Sequence, residues 1–388
     1  MADETSEMII KLEGRIDSNN VTDIEKRILS ILAYRQNEAV IFDAENLDYI
    51  SSAGLRTLLR VKKSCRDVKI INVRPGVYEI LDTTGFTQLM TIEKAYRRIS
   101  VDGCEEIGRG ASGTIYRIDQ DNVVKVYNDR NALDEIIHER EMAKLALILG
   151  IPTAISYEIV RIGDCYGSVF ELLDAVSFSH ILSTDPLKLE WCVEESIKLL
   201  NMLHTTHASD IRLPDIRDKY ISKTENLRDE LTDSVADKVL DLIRSIPLDD
   251  RLVHGDFHSK NIMLLDNDVL LIDMETLSVG HPIFDLASMY DAYIGFSDPD
   301  HDQVKRFQGF DYEISQKFWY RSLETYLNTQ DKARIREVED KAKVPGYVRA
   351  MNFLANHKDN ETKEGREQLS YWKDRLIEVL ERVDSLDF

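Results

Sequence analysis

Cysteine, proline and basic charge are all scarce in this chain, and each shortage removes a class of protein. The four cysteines, Cys65, Cys104, Cys165 and Cys192, are far apart and form no C-x-x-C pair. Neither a disulfide framework nor a thiolate zinc site is therefore encoded, and a reducing compartment fits. Eight prolines and 17 glycines in 388 residues are too few for long disordered segments. No run approaches the ~18 apolar residues needed to cross a bilayer, and the opening MADETSEM has neither the basic nor the apolar region of a secretory leader. We expect a cytoplasmic protein, neither secreted nor membrane-inserted. Basic residues number 49 against 70 acidic ones, a formal charge of -21, and no local basic patch stands out. That balance excludes nucleic acid and anionic membrane as partners. It suits a cationic substrate, although acidic helix faces turned to water give the same excess.

What is present is enough chain for two domains, or three if one of them is bilobal. Met8, Ile10 and Leu12 alternate as on a strand, and Val21, Ile24, Ile28, Ile31 and Leu32 recur at helical spacing. A second strand is expected over Ala39 to Phe42. A Ser51-Ser52-Ala53-Gly54 turn, a helix through Leu55, Leu58, Leu59 and Val61, a strand at Val68 to Val73 and a helix after Pro75 follow. Strand and helix alternation means a sheet covered by helices. The segments GRID (Gly14 to Asp17), FDAENLDYISSAGLRTLL (Phe42 to Leu59) and TTGF (Thr83 to Phe86) resemble the STAS fold of anti-sigma-factor antagonists. The resemblance implies a protein partner for this domain and a phosphoacceptor serine at the helix N-terminus, which falls on Ser52. A phosphate there would meet free N–H groups and the positive end of the helix dipole. Ser51 or Ser52 would equally serve as a plain N-cap.

After about residue 100 the pattern starts afresh. GRGASG places Gly108, Gly110 and Gly113 in a turn between two strand-like runs, where backbone N–H groups could approach phosphates without side chains intervening. Lys125 lies in the middle of the apolar run VVKVY; a lysine so placed needs an anionic partner, because an unpaired buried ammonium is costly. Glu135, Glu139 and Glu141 on the helical stretch Asp134 to Leu149 are the candidates. Farther on, HGDFHSKNIM puts Asp256 five residues before Asn261, and VLLIDME ends an apolar strand on Asp273, twelve residues after Asn261. This is the order of a kinase catalytic loop and its metal-binding carboxylate. Asp256 would orient an attacking hydroxyl, while Asn261 and Asp273 offer hard oxygens to Mg2+, with Glu275 as an assistant. His254 and His258 lack the third strong ligand a zinc site needs; His254 is expected to brace the loop, and Asp285 to fix the loop or cap a helix.

The segment HGDFHSKNIM, with LIDMETLSVGHPIFDLA after it, resembles the aminoglycoside phosphotransferase and choline kinase superfamily, over roughly residues 103 to 380. The resemblance implies ATP, with GTP not excluded, and Mg2+. It makes Glu139, before the Gly150-Ile151-Pro152 turn, the partner of Lys125, with Glu141 the fallback. It also implies adenine contacts from Glu171 and Leu173 at the hinge. Gly255 stands where protein kinases have an arginine, and eleven residues separate Asp273 from Asp285, too few for a peptide-docking segment. The expected architecture is an α/β STAS-like domain over residues 1–99 and an α+β bilobal protein-kinase-like fold, N-lobe 100–173 and helical C-lobe 174–388. The expected activity is phosphoryl transfer to a hydroxyl of a small molecule. Two alternatives stand beside it: a signalling kinase acting on Ser52 or a partner's STAS serine, and a non-catalytic nucleotide sensor.

Overall fold

A computed structural model of the chain describes residues 8–33, 39–65, 67–110, 113–172, 174–209, 211–357, 360 and 362–388. The chain divides into two compact units, Met1–Ser100 with Ile159–Asp164, and Val101–Glu158 with Cys165–Phe388.

In the first unit, strands Met8–Ile16, Val40–Ile50, Val68–Val73 and Thr91–Lys94 pair in that order, each parallel to the next. Met8, Ile10 and Leu12 point into the core while Ile9, Lys11 and Glu13 point out, the period of two expected of a strand with one buried face. Helices Val21–Ala33, Ser52–Ser64 and Pro75–Thr83 make the connections, since parallel neighbours need a crossover. The second strand runs to Ile50 rather than stopping at Phe42. Asp43, Glu45, Asn46 and Asp48 read as a loop, but two register shifts against the first strand absorb the broken alternation and keep Leu47 and Ile50 buried. Gly54 lets the second helix lie close on the sheet: a Cβ there would stand 2.7 Å from both Ile16 Cγ2 and Ile50 Cγ1.

The second unit opens with antiparallel strands Glu105–Arg109, Gly113–Arg117, Asn122–Tyr127 and Cys165–Glu171, neighbours in the order 105–109, 113–117, 122–127, 165–171. Helix Leu133–Ile148 accompanies them. Beyond lies a helical lobe whose core includes Leu200, Phe257, Ile262, Phe284, Tyr290 and Trp372. Two small sheets sit in it: 175–177 with 262–265 and 268–271, and 252–253 with 278–279. They fix both ends of the loop that runs from His254 to Asn261. No helix among the described residues is long and apolar enough to cross a membrane.

Candidate active site

The glycine-rich hairpin is closed by Gly110 N–H donating to Gly113 O at 2.9 Å. Gly113 alone of the three is sterically required, because a Cβ there would sit 2.3 Å from Val126 O of the neighbouring strand. Gly108 and Gly110 have ordinary room. That close approach puts the turn beside the strand carrying Lys125. Lys125 Nζ donates to Glu139 Oε2 at 3.1 Å and Oε1 at 3.2 Å, and Tyr127 OH donates to the same Oε2 at 2.7 Å. Both charged side chains are mostly covered, 17% and 13% exposed, so the pair is held by geometry rather than left to solvent. Glu139 is thus the partner, and Glu141 is exposed. Burial, and next the Glu139 charge, push the Tyr127 phenol above its ordinary range, leaving it a donor.

The Asp256 loop hangs on side chains from behind. Asp285, fully buried, accepts from His254 N–H at 2.9 Å and Gly255 N–H at 2.6 Å, and meets His204 Nε2 at 3.1 Å. Ser288 Oγ accepts from Phe257 N–H and Tyr293 OH from Ser259 N–H. His254 braces the loop as expected: Nδ1 accepts from Asp256 N–H at 3.2 Å and Nε2 faces Ile272 O at 3.2 Å. Gly255 has φ +79°, with Thr276 Cβ and O 3.2 Å from where its own Cβ would be. The backbone bend, as much as the chemistry, keeps a bulky residue out of this position.

Asp256, Asn261 and Asp273 are neighbours, and Ile272 N–H, next to Asp273 in the chain, donates to Asn261 O at 2.9 Å. Asn261 Nδ2 donates to Asp256 O at 3.0 Å and reaches Oδ2 at 3.4 Å, which leaves the amide oxygen directed away as an acceptor. Asp273 adopts the left-handed region, φ 64° and ψ 59°, a conformation aspartate tolerates better than most residues. Burial raises the Asp273 carboxyl, Lys125 opposes that, and Glu139 and Asp256 add to it. Glu275 is pushed up to about 7 by burial and then by Asp273 and Glu139. The carboxylates of Glu139, Asp273 and Glu275 outnumber the Lys125 ammonium they surround, a deficit that a cation would offset. Among the described residues no three histidine, cysteine or acidic side chains converge as a ligand set. The donors therefore fit a magnesium shared with phosphates, which takes one or two protein oxygens, better than a metal held by protein alone.

Glu171 is exposed and stands opposite Asn122 in register, and the next amide, Leu172 N–H, is taken by Asp121 O at 2.7 Å. Leu173 lies outside the described residues. In the first unit, Ser51 is the N-cap, its Oγ accepting from Gly54 N–H at 3.5 Å, while Ser52 is the first helical residue and exposed.

Sequence reasoning missed the other side of Asp256. Arg349, on helix Lys332–Ala355, donates from Nη2 to Asp256 Oδ1, and its Nη1 stands 3.9 Å from Asp291 Oδ2. His258 Nε2 stands 3.4 Å from Asp256 Oδ2. Despite burial, the Arg349 and His258 charges hold the Asp256 carboxyl well below the usual carboxylate range. Helix Ile216–Glu225 brings Lys219 and Lys223 toward the same region, and burial and then Arg349 lower the Lys223 ammonium to about 8. The one sequence signal was a lone cation in the apolar stretch Tyr347 to Leu354.

A model of the phosphotransferase enzyme family matches residues 103–318, and a model of the STAS domain matches residues 1–99. A Bordetella bronchiseptica protein named as an anti-sigma factor antagonist, BtrV, is 33% identical over 89 residues, 22% of this chain and 76% of that protein. The anti-sigma F factor antagonist of Paenibacillus polymyxa is 24% identical over 89 residues, with the same coverage. The solved structure of a thermostable aminoglycoside phosphotransferase APH(4)-Ia mutant, in ternary complex with ADP and hygromycin B, matches with a TM-score of 0.50 and 11% identity. It covers 72% of this chain and 93% of that one, a likeness of fold.

Proposed function

We propose, for a chain that belongs to the phosphotransferase enzyme family and carries a STAS domain at residues 1–99, that it transfers the γ-phosphate of ATP to a hydroxyl of a small molecule. The observation that carries this reading is the proximity of Asp256, Asn261 and Asp273 in a unit that also holds the mostly covered Lys125–Glu139 pair. Residues 100–173 are read as the lobe that grips the nucleotide and 174–388 as the lobe that presents the acceptor.

Lys125, aligned by Glu139 and Tyr127, offers its ammonium to phosphate oxygens. Asn261 and Asp273 are the residues that would hold Mg2+, whose charge would offset that of the triphosphate. Asp256 accepts the hydrogen bond of the attacking hydroxyl and aims its oxygen; transfer here is mostly positioning and charge neutralisation. Glycines 108, 110 and 113 allow the hairpin to close over phosphates, and Glu171 and Leu173 mark the stretch expected to meet the base. The eleven residues between Asp273 and Asp285 leave little room for a bound peptide, which favours a small acceptor. The exposed Ser52 at a helix N-terminus, in a domain similar to anti-sigma factor antagonists, supports a second reading, a signalling kinase for that serine or a partner's.

One experiment separates these readings. The protein is incubated with Mg-ATP or Mg-GTP, alone and with a panel of sugars, amines and hydroxy acids, and both protein and small molecules are weighed by mass spectrometry. A phosphorylated metabolite with unmodified protein supports the proposal. Phosphate on Ser52 supports the second reading, and nucleotide binding with no transfer at all would reduce the protein to a sensor.

A further inference from the structure

A charge problem remains beside Asp256. The group that must accept a hydroxyl hydrogen bond has Oδ1 occupied by Arg349 and Oδ2 approached by His258 and Asn261. A neutral alcohol offers nothing to hold the guanidinium elsewhere. Arg349 has five N–H donors, yet besides Asp256 the described residues give it only the 3.9 Å approach of Asp291. Its side chain is 20% exposed and that of Asp256 25%, so both reach the surface from which an acceptor would arrive.

The surroundings are built to hold this cation rather than to cancel it. Asp291 starts a π-helical turn, Asp291–Gly295, after helix Ile283–Tyr290, a distortion common at functional sites. Gly295 and Gly346 make room for its carboxylate: a Cβ on either would meet Asp291 Oδ1 at 2.8 or 3.1 Å. Among the described residues neither Asp291 oxygen has a hydrogen-bond partner in this fully buried position, and burial pushes its carboxyl well above the ordinary range. Lys223 and Lys219, one helical turn apart, add two further ammonium groups, Lys223 being close enough to Arg349 and Asp256 to feel both charges. Lys219 Nζ donates to Thr276 O at 3.2 Å, which holds its ammonium beside the loop. Against Arg349, Lys219 and Lys223 on this side stand the Asp256 carboxylate and, near Lys219, Glu275, so the local balance is cationic, opposite in sign to the chain's formal -21.

We propose that the phosphate acceptor carries an anionic group, a carboxylate or a phosphate on a hydroxylated small molecule, which binds Arg349 and Lys223 beside the Asp256 carboxylate. This rests on the phosphotransferase reading of the same site. An anion sharing the guanidinium frees Oδ1 for the acceptor hydroxyl, so recognition and release of the Asp256 carboxylate are one event. Arg349 is suited to this by its planar fork, which matches carboxylate and phosphate oxygens two at a time. A polycationic acceptor would meet like charge at the same point.

The test varies charge on a constant skeleton. Glucose, glucosamine, glucuronate and glucose 6-phosphate, and the three-carbon series glycerol, serinol, glycerate and glycerol 3-phosphate, are offered to the full chain with Mg-ATP, products being weighed. Each is also titrated calorimetrically into the Mg-ADP complex. The expected result is at least a tenfold preference, in kcat/KM or in affinity, for an anionic member over its neutral and cationic partners. The carboxylate and phosphate arms tell which anion is meant. Arg349→Gln should abolish that preference chiefly through KM, with Arg349→Lys restoring part of it; should Arg349→Gln fail to fold, Lys223→Gln should lower it several-fold. Equal or better use of the amines, or no preference for the anions in binding or turnover, overturns the proposal. Anion-selective binding without transfer to any acceptor would instead sink the phosphotransferase reading and leave the charge selectivity standing.

Discussion

Replacing Asp285 by asparagine tests how the loop from His254 to Asn261 is held. Its two carboxylate oxygens serve His254 N–H at 2.9 Å and Gly255 N–H at 2.6 Å, with His204 Nε2 at 3.1 Å behind them, all buried. Asparagine keeps the shape but has one carbonyl oxygen, so one of the two amides faces an NH2 group. An unpaired buried donor costs about 1–3 kcal/mol, and the surviving bond loses its charge assistance, so the loss should total about 2–4 kcal/mol. Against a typical stability of about 5–15 kcal/mol that is a large share. Asp285→Ala strips both partners and should cost more. The assay is urea unfolding followed by tryptophan fluorescence. Trp191, Trp319 and Trp372, the chain's 3 tryptophans, all lie in the second compact unit, so the signal reports that unit even with the STAS domain attached. With a urea slope of about 3–4 kcal/mol/M for a unit of this size, the midpoint should fall by about 0.5–1.3 M. Turnover should fall further than stability explains, since a shift of about 1 Å in a catalytic group can cost a hundredfold. A midpoint unmoved within about 0.3 M, with turnover intact, would refute the view that Asp285 carries the loop.

Asp256→Ala should lower kcat at least about a hundredfold while leaving Mg-ATP affinity nearly unchanged; normal turnover would remove Asp256 from the chemistry. Asp273→Ala should weaken Mg-nucleotide binding about tenfold or more by calorimetry, and unchanged affinity in magnesium would argue against its metal role. Glu275, pushed up to about 7, holds a proton in the folded state at a pH where the unfolded chain has lost it. Its contribution to stability is therefore present below the ordinary carboxylate range and lost as pH rises through about 7. In metal-free protein Glu275→Gln should raise the melting temperature at pH 8 relative to the parent and do little near pH 4, and a pH-independent difference would contradict the assignment. Gly54→Ala forces a methyl to within 2.7 Å of Ile16 and Ile50 and should cost the first unit about 1–3 kcal/mol, visible as a lower circular-dichroism midpoint; no change would mean that helix Ser52–Ser64 shifts freely.

The residues that sequence could name were those whose chemistry dictates both type and spacing. Asp256, Asn261 and Asp273 lie within one short stretch, and Lys125 stood out because an ammonium in an apolar strand demands a partner. Gly113 is legible for a related reason, a backbone so near its neighbour that no Cβ fits. The second strand outruns its apolar stretch because Asp43, Glu45, Asn46 and Asp48 break the alternation, and a bulge leaves no local trace. Arg349 escaped altogether. Its partnership with Asp256 spans 93 residues, and pairing at that distance has no periodicity to detect; only the incongruity of one cation among Tyr347, Val348, Ala350 and Met351, all buried, pointed to it. The space cleared by Gly295 and Gly346 for Asp291 is likewise a property of packing between segments.

The loop from His254 to Ser259 is irregular backbone, yet four of its amides end on side chains from one continuous stretch of helix: Asp285 takes two, Ser288 and Tyr293 one each. Such a loop shares the motions of the helix behind it. It should fluctuate and open with Ile283–Gly295 as a single cooperative unit rather than as an independent flap. The disorder that a surface loop would have to surrender at every turnover has here been surrendered once, when the lobe folded. On the proposed reading Asp256 would meet each acceptor from a fixed footing, and the moving part of the cycle would be the guanidinium opposite it.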